Sequence, residues 1–193
     1  MGGAPAYRVL ITANIIGFLL EIIGGDNLVA LLALWPVGGG FMPWQVVSYA
    51  FMHASITHLA FNMFGLWMFG RELELLLGRR LLFKLYFASI LSAAATQLLV
   101  TLLAGGAYPT VGASGGVFGL LLAYGVLFPR RIIMLLLPPI PLPARMFVVL
   151  YAAIELVLGV TGTQAGVAHF AHLGGMVGGY LVIDGWRRRG RWR

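Results

Sequence analysis

Six apolar stretches of spanning or near-spanning length follow one another along this chain, and that succession restricts the fold more than any other feature. They cover residues 7–23, 57–77, 81–103, 114–128, 145–160 and 167–183. In hydrocarbon every backbone N–H and C=O must find a partner within the protein, so spanning segments are helices or closed barrels. Apolar runs of this length read as transmembrane helices. The expectation is an all-α membrane protein, a bundle of six transmembrane helices forming a single domain over residues 1–193. Composition agrees. Hydrophobic residues make up 60% of the chain and charged residues 10%, too few polar groups to cover a soluble globule.

Two stretches do not read as spans. Residues 27–56 are apolar but broken by Trp35-Pro36, Gly38-Gly39-Gly40 and Pro43-Trp44. Such a mixture suits short helices lying in the interface, with tryptophans at headgroup level. The first span is expected to end at Gly24-Gly25-Asp26-Asn27. Residues 132–143 hold four prolines and read as a loop too broken to cross.

The net charge is +7. Nucleic-acid binding is not the reading, because the arginines follow apolar segments: Arg79-Arg80, Arg130-Arg131 and the tail from Arg187. With six spans these fall on one side together with Arg8 and Arg145. The opposite loops, 24–56, 104–110 and 161–166, hold no Lys or Arg. The positive-inside rule then puts both termini in the cytoplasm, with a prokaryotic plasma (inner) membrane as the expected location. The chain has no cysteine, which excludes thiolate catalysis and cysteine metal sites. The first span lacks the flanks of a cleaved signal and is kept as a helix.

Against this apolar background the chemistry-bearing residues stand out. Gly112-Ala113-Ser114-Gly115-Gly116 lies where a polar loop becomes the fourth span. A helix start offers unpaired N–H groups and partial positive charge. Ser114 there is either an N-cap or a nucleophile beside oxyanion donors. Ionisable groups inside spans are functional candidates by default, and here they are His58, Glu155, His169 and His172, with Asn62 one turn after His58. Gly115, Gly119 and Ala123 recur every four residues, as do Gly175 and Gly179. Small residues at that spacing let helix backbones approach, so the fourth and sixth spans are expected to cross there and bring His172 beside Ser114. An imidazole next to the hydroxyl supplies the base a serine needs. The spacing places no carboxylate behind it, so the pair reads as a Ser–His dyad. Ser114 N–H, His58 and Asn62 are candidate oxyanion donors, and Phe118 is placed to pack on the imidazole.

Other chemistries fail on their requirements. There is no H-E-x-x-H zinc motif. The only aspartates, Asp26 and Asp184, sit at span ends and cannot form an intramembrane pair. The segment also fits the G-x-S-x-G elbow, and Ser114, Glu155 and His172 follow the chain order of α/β-hydrolases, but hydropathy denies the soluble sheet that motif needs. His169 and His172 lack further ligands for a metal, and His169 reads as a packing residue. No cofactor is expected.

With these residues in place, the chain resembles the rhomboid family of intramembrane serine proteases from about Trp44 to Gly179. His53 and the run His58 to Asn62 resemble the family's His-x-x-x-Asn helix, with Glu74 and Gly78 resembling its end. Gly112 to Gly115 resembles Gly-x-Ser-Gly, and His172 to Gly179 resembles His-x-x-Gly-x-x-x-Gly. The resemblance implies Ser114 as nucleophile, His172 as base, His58 and Asn62 as oxyanion-stabilising groups, and Gly112, Phe118, Gly175 and Gly179 as support. It implies single-span or multi-span membrane-protein substrates, cleaved in the lipid bilayer. Two positions depart from the pattern. Gln45 replaces the arginine of a Trp-Arg pair, which puts a contact of the long first loop in doubt. Phe118 stands where tyrosine is common, so stacking survives without a hydroxyl. The rival reading is a non-catalytic relative that binds and routes transmembrane clients.

Overall fold

The computed structural model of the protein describes residues 3–134, 139–162 and 168–191. Pro138, residues 163–166 of the expected last loop and the final Trp192-Arg193 of the basic tail lie outside them. The described chain is a helical membrane bundle: α1 (Ala6–Leu32), α2 (Gln45–Ser48), α3 (Ile56–Leu77), α4 (Arg79–Ala104), α5 (Ser114–Leu127), α6 (Ala144–Thr161) and α7 (His169–Trp186). By length and composition alone α1, α4 and α6 suffice to cross a membrane. The short α5, at 14 residues, spans about 21 Å of a ~30 Å hydrocarbon core at 1.5 Å per residue.

Burial explains why so short a helix is tolerated. Apolar α5 is buried on nearly every side, through Gly115, Gly116, Gly119, Leu120, Leu121, Ala123, Tyr124, Gly125 and Leu127. An all-round apolar helix belongs at the centre of a bundle, and α3, α4, α6 and α7 surround it. By contrast α1 buries only Ala6, Leu10 and Asn14 and lies at the periphery.

The first span does not stop where its glycines suggest. Gly25 adopts φ 53, ψ −146, which kinks the helix, and the helix then resumes to Leu32. Its last carbonyls, which no helical N–H can reach, are met by the following loop. Trp44 Nε1 and Gln45 Nε2 donate to Leu31 O at 2.9 and 3.3 Å, and Ser48 Oγ to Leu32 O at 2.7 Å. At the other end Glu74 of α3 accepts from Ala6 N at 2.7 Å and Tyr7 N at 3.1 Å. A carboxylate there satisfies orphan donors and opposes the helix dipole.

The proline-rich stretch contains more order than a loop. Strands β1 (Ile132–Met134) and β2 (Pro141–Pro143) pair antiparallel with Ile133 opposite Leu142. A two-stranded ribbon has only edges, where proline's missing N–H costs no ladder bond.

Candidate active site

The serine loop is held from outside the bundle. Leu34 N donates to Thr110 O at 3.0 Å and Thr110 N to Leu34 O at 2.9 Å. Two residues on, Gly112 N donates to Tyr49 O at 3.0 Å, and Tyr49 Oη donates to Ile90 O at 2.7 Å. The long loop after α1 thus clamps the turn into α5 and anchors it to α4. Gly112 has φ 125, and a Cβ there would sit 2.7 Å from His58 Cε1 and 3.7 Å from Ser114 Oγ. Both backbone shape and space demand glycine at that point. The N-cap is Ala113, without a side-chain bond. Ser114 is therefore the first residue of the helix rather than its cap, which leaves its half-buried hydroxyl free for another partner.

That partner arrives through glycine. A Cβ on Gly175 would run into the Gly115 backbone, and one on Gly179 would lie 2.6 Å from Gly119 O. The expected α5–α7 crossing is present, backbone against backbone. The two glycines next to these serve a second neighbour: a Cβ on Gly174 would meet Thr96, and one on Gly178 would lie 2.7 Å from Ser92 Cβ, both on α4. The doubled glycines of α7 give it one smooth stripe for each of two helices.

The crossing sets His172 Nε2 2.8 Å from Ser114 Oγ. With the ring proton on Nδ1, the serine O–H donates to Nε2. His172 is 9% exposed, and its ring is stacked on Phe118 with centroids 4.3 Å apart and planes 4° from parallel. The stacking expected of Phe118 is present.

The far side of the imidazole differs from expectation. A carboxylate does lie behind His172: Glu155 Oε2 of α6 is 3.0 Å from His172 Nδ1. The approach is a close polar contact, off the line of a good hydrogen bond, so by direction Nδ1 remains unsatisfied. His169 makes the better-aligned bond to the same oxygen, Nδ1 to Oε2 at 2.6 Å. His169 is thus a buried, hydrogen-bonded member of the group. The three residues offer ligand atoms within 4.8 Å of one another, which raises a metal centre. Ligands at 2.0–2.1 Å from a tetrahedral zinc stand about 3.3 Å apart. The 2.6 Å contact is shorter and has the length of a charge-assisted hydrogen bond.

The other candidates line the opposite wall. Ser55 Oγ caps α3 by accepting from His58 N at 3.1 Å, and His58 presses its ring on Gly112 as described. Asn62 is buried and gives one amide hydrogen to His58 O at 3.0 Å, leaving a second donor. His53, 1% exposed, packs edge-on against His58 at 5.2 Å between centroids. Burial, then neighbouring His58, lower its pKa to about 4, with a Phe51 backbone contact pulling the other way. Glu21 of α1 accepts from His53 N at 2.8 Å and fixes this turn.

Gln45, whose departure from the family pattern put a contact of the long first loop in doubt, makes loop contacts of its own. It is fully buried, and its Oε1 accepts from Trp35 N at 3.2 Å and Met42 N at 3.1 Å. The sequence carried faint signals for the residues it did not assign. Glu155 is an acid inside a span, and His169 lies three positions before His172, on the same helical face.

The Rhomboid domain pattern matches residues 40–188. Mitochondrial Rhomboid protein 1 of Saccharomyces cerevisiae is 34% identical over 74% of this chain and 41% of its own length. Rhomboid protease GlpG of Serratia proteamaculans is 31% identical over 93% of this chain and 62% of its own. Rhomboid protease GluP of Bacillus subtilis is 27% identical over 93% of this chain and 34% of its own. The chain thus spans between about a third and three fifths of the length of these curated relatives.

Proposed function

Because this chain belongs to the rhomboid family, we propose that it is an intramembrane serine endopeptidase cleaving transmembrane segments of membrane-protein substrates. The observation that carries this reading is the 2.8 Å contact between Ser114 Oγ and His172 Nε2 at the start of a buried helix. The protease names of two relatives support it.

In the proposed reaction Ser114 Oγ attacks the scissile carbonyl carbon as its proton passes to His172 Nε2. The carbonyl π pair moves to oxygen, and the resulting oxyanion is held by Ser114 N–H, His58 and Asn62, assisted by the positive end of α5. The tetrahedral centre collapses, the C–N bond breaks, and the leaving amine takes the proton from His172. Water then gives its proton to the same imidazole and attacks the acyl carbon; the C–Oγ bond breaks, Ser114 Oγ takes the proton back from His172, and the carboxylic acid product leaves. Phe118 keeps the ring plane fixed throughout.

Residues 1–193 act as one unit in this reading. Its termini are cytoplasmic, in the plasma membrane of a prokaryote, and the site opens to the other side. Basic residues are confined to the α1-start and α3-end side of the chain, which supports that orientation. The long loop after α1 is the gate, admitting a segment from the bilayer and water from outside.

The test is proteoliposome cleavage of a panel of single-span substrates. Wild type releases fragments, while Ser114→Ala and His172→Ala release none. Client binding without cleavage by wild type would favour the routing role instead.

A further inference from the structure

We propose that Glu155 is a positioning residue for His172, so that the site works as a serine–histidine pair backed by a carboxylate. This rests on the protease reading above.

The placement of Glu155 is costly without a purpose. Helix α6 exposes Val149, Leu150, Ile154, Leu156, Val157 and Val160, as a lipid-facing helix should. Only Ala144, Phe147, Val148 and Glu155 are buried on it. The sole acid of α6 thus occupies a position turned into the bundle, where an ionisable group is expensive and keeps company with a partner. Two imidazoles meet it there. His169 and His172 lie three residues apart on α7, with rings 6.4 Å apart and nearly perpendicular at 88°. Each turns Nδ1 to the same oxygen, Glu155 Oε2, at 2.6 and 3.0 Å.

The division of labour follows from the geometry. The tighter bond from His169 fixes the carboxylate. The carboxylate, held there, makes the Nδ1–H tautomer of His172 the favourable one. That leaves the Nε2 lone pair for the Ser114 hydroxyl at 2.8 Å. When His172 takes the serine proton, the new positive charge faces an anion. The carboxylate takes up no proton itself; it orients and stabilises. The bent 3.0 Å approach is of a kind that tightens when substrate is bound. Phe118 stacks on one face of the ring and Ser114 lies at its far nitrogen, so Glu155 restrains the remaining in-plane freedom.

Glu155→Gln keeps the size of the side chain and removes the charge. The neutral amide oxygen offers no counter-charge to a protonated His172, and the amide N–H, if turned to the ring, favours the wrong tautomer of His172. The experiment measures kcat and KM for a transmembrane substrate in proteoliposomes, together with the thermal midpoint, for wild type, Glu155→Gln and Glu155→Asp. Glu155→Gln is expected to lower kcat roughly ten- to a hundredfold, less than the ~10⁴-fold seen where the carboxylate bond is in line. KM and the thermal midpoint stay near wild type, and Glu155→Asp recovers part of kcat. Wild-type kcat in Glu155→Gln would overturn the inference. So would equal losses in both variants that track a fallen thermal midpoint, since that marks a structural role only. A wild-type protein that cleaves nothing would instead remove the protease reading itself.

Discussion

Gly112 answers two demands at once: a φ of 125 and the absence of any room between its Cα and the His58 ring. Gly112→Ala must distort the turn or displace His58 from the serine. A residue forced into a sparsely populated backbone region costs about 1–3 kcal/mol. The expected result is a lower thermal midpoint and cleavage reduced at least ~10²-fold, the loss typical of one oxyanion donor. His53 makes a second prediction, read in stability. Its pKa of about 4 in the fold lies below the usual histidine value, so the folded protein keeps it neutral where an unfolded chain would bind a proton below pH ~6.5. The unfolded state then holds more protons between pH ~6.5 and ~4, and stability falls as pH drops through that window. Thermal midpoints in detergent should decline across it, and the decline should be shallower in His53→Gln, which cannot titrate. Identical slopes would contradict the assignment.

Among the elements, the α5–α7 crossing decides whether serine and histidine meet. Gly175 lies directly on the Gly115 backbone, so any side chain there parts the helices. Gly175→Val is expected to abolish cleavage and to lower the thermal midpoint, since overpacking a close contact costs about 1–3 kcal/mol or more. A variant with wild-type cleavage would show that the helices need not touch. This crossing was legible in the sequence because a four-residue glycine spacing is local and marks one face of one helix. The long helices were legible for a similar reason, since hydrocarbon tolerates little else. What the sequence hid lies between elements. Glu155 and His172 are on different helices, and no spacing rule along one chain shows that α6 turns its single acid toward α7. Gln45 is hidden likewise, because its partners Trp35, Met42 and Leu31 meet only after the loop folds back on the end of α1. Gly25 misled for a third reason: glycine permits a kink as readily as a stop, and the capping groups on the later loop let the helix resume.

At the scale of the whole molecule, one short buried helix is wrapped by longer ones, and polar groups from three of them join its own serine at its start. Ser114 comes from α5, His172 and His169 from α7, Glu155 from α6, and His58 with Asn62 from α3. The long loop fastens the turn above them through Thr110 and Gly112. Such an arrangement keeps the Ser114–His172 contact in place where the hydrocarbon would otherwise penalise it. On the proposed reading its central consequence is a serine made nucleophilic by one particular imidazole. The most direct measurement is reaction of the purified protein with a fluorophosphonate probe, with the adduct located by mass spectrometry in wild type, Ser114→Ala and His172→Ala. An adduct on Ser114 in wild type, absent from both variants, is the expected result. No adduct in wild type, or equal labelling of His172→Ala, would contradict it.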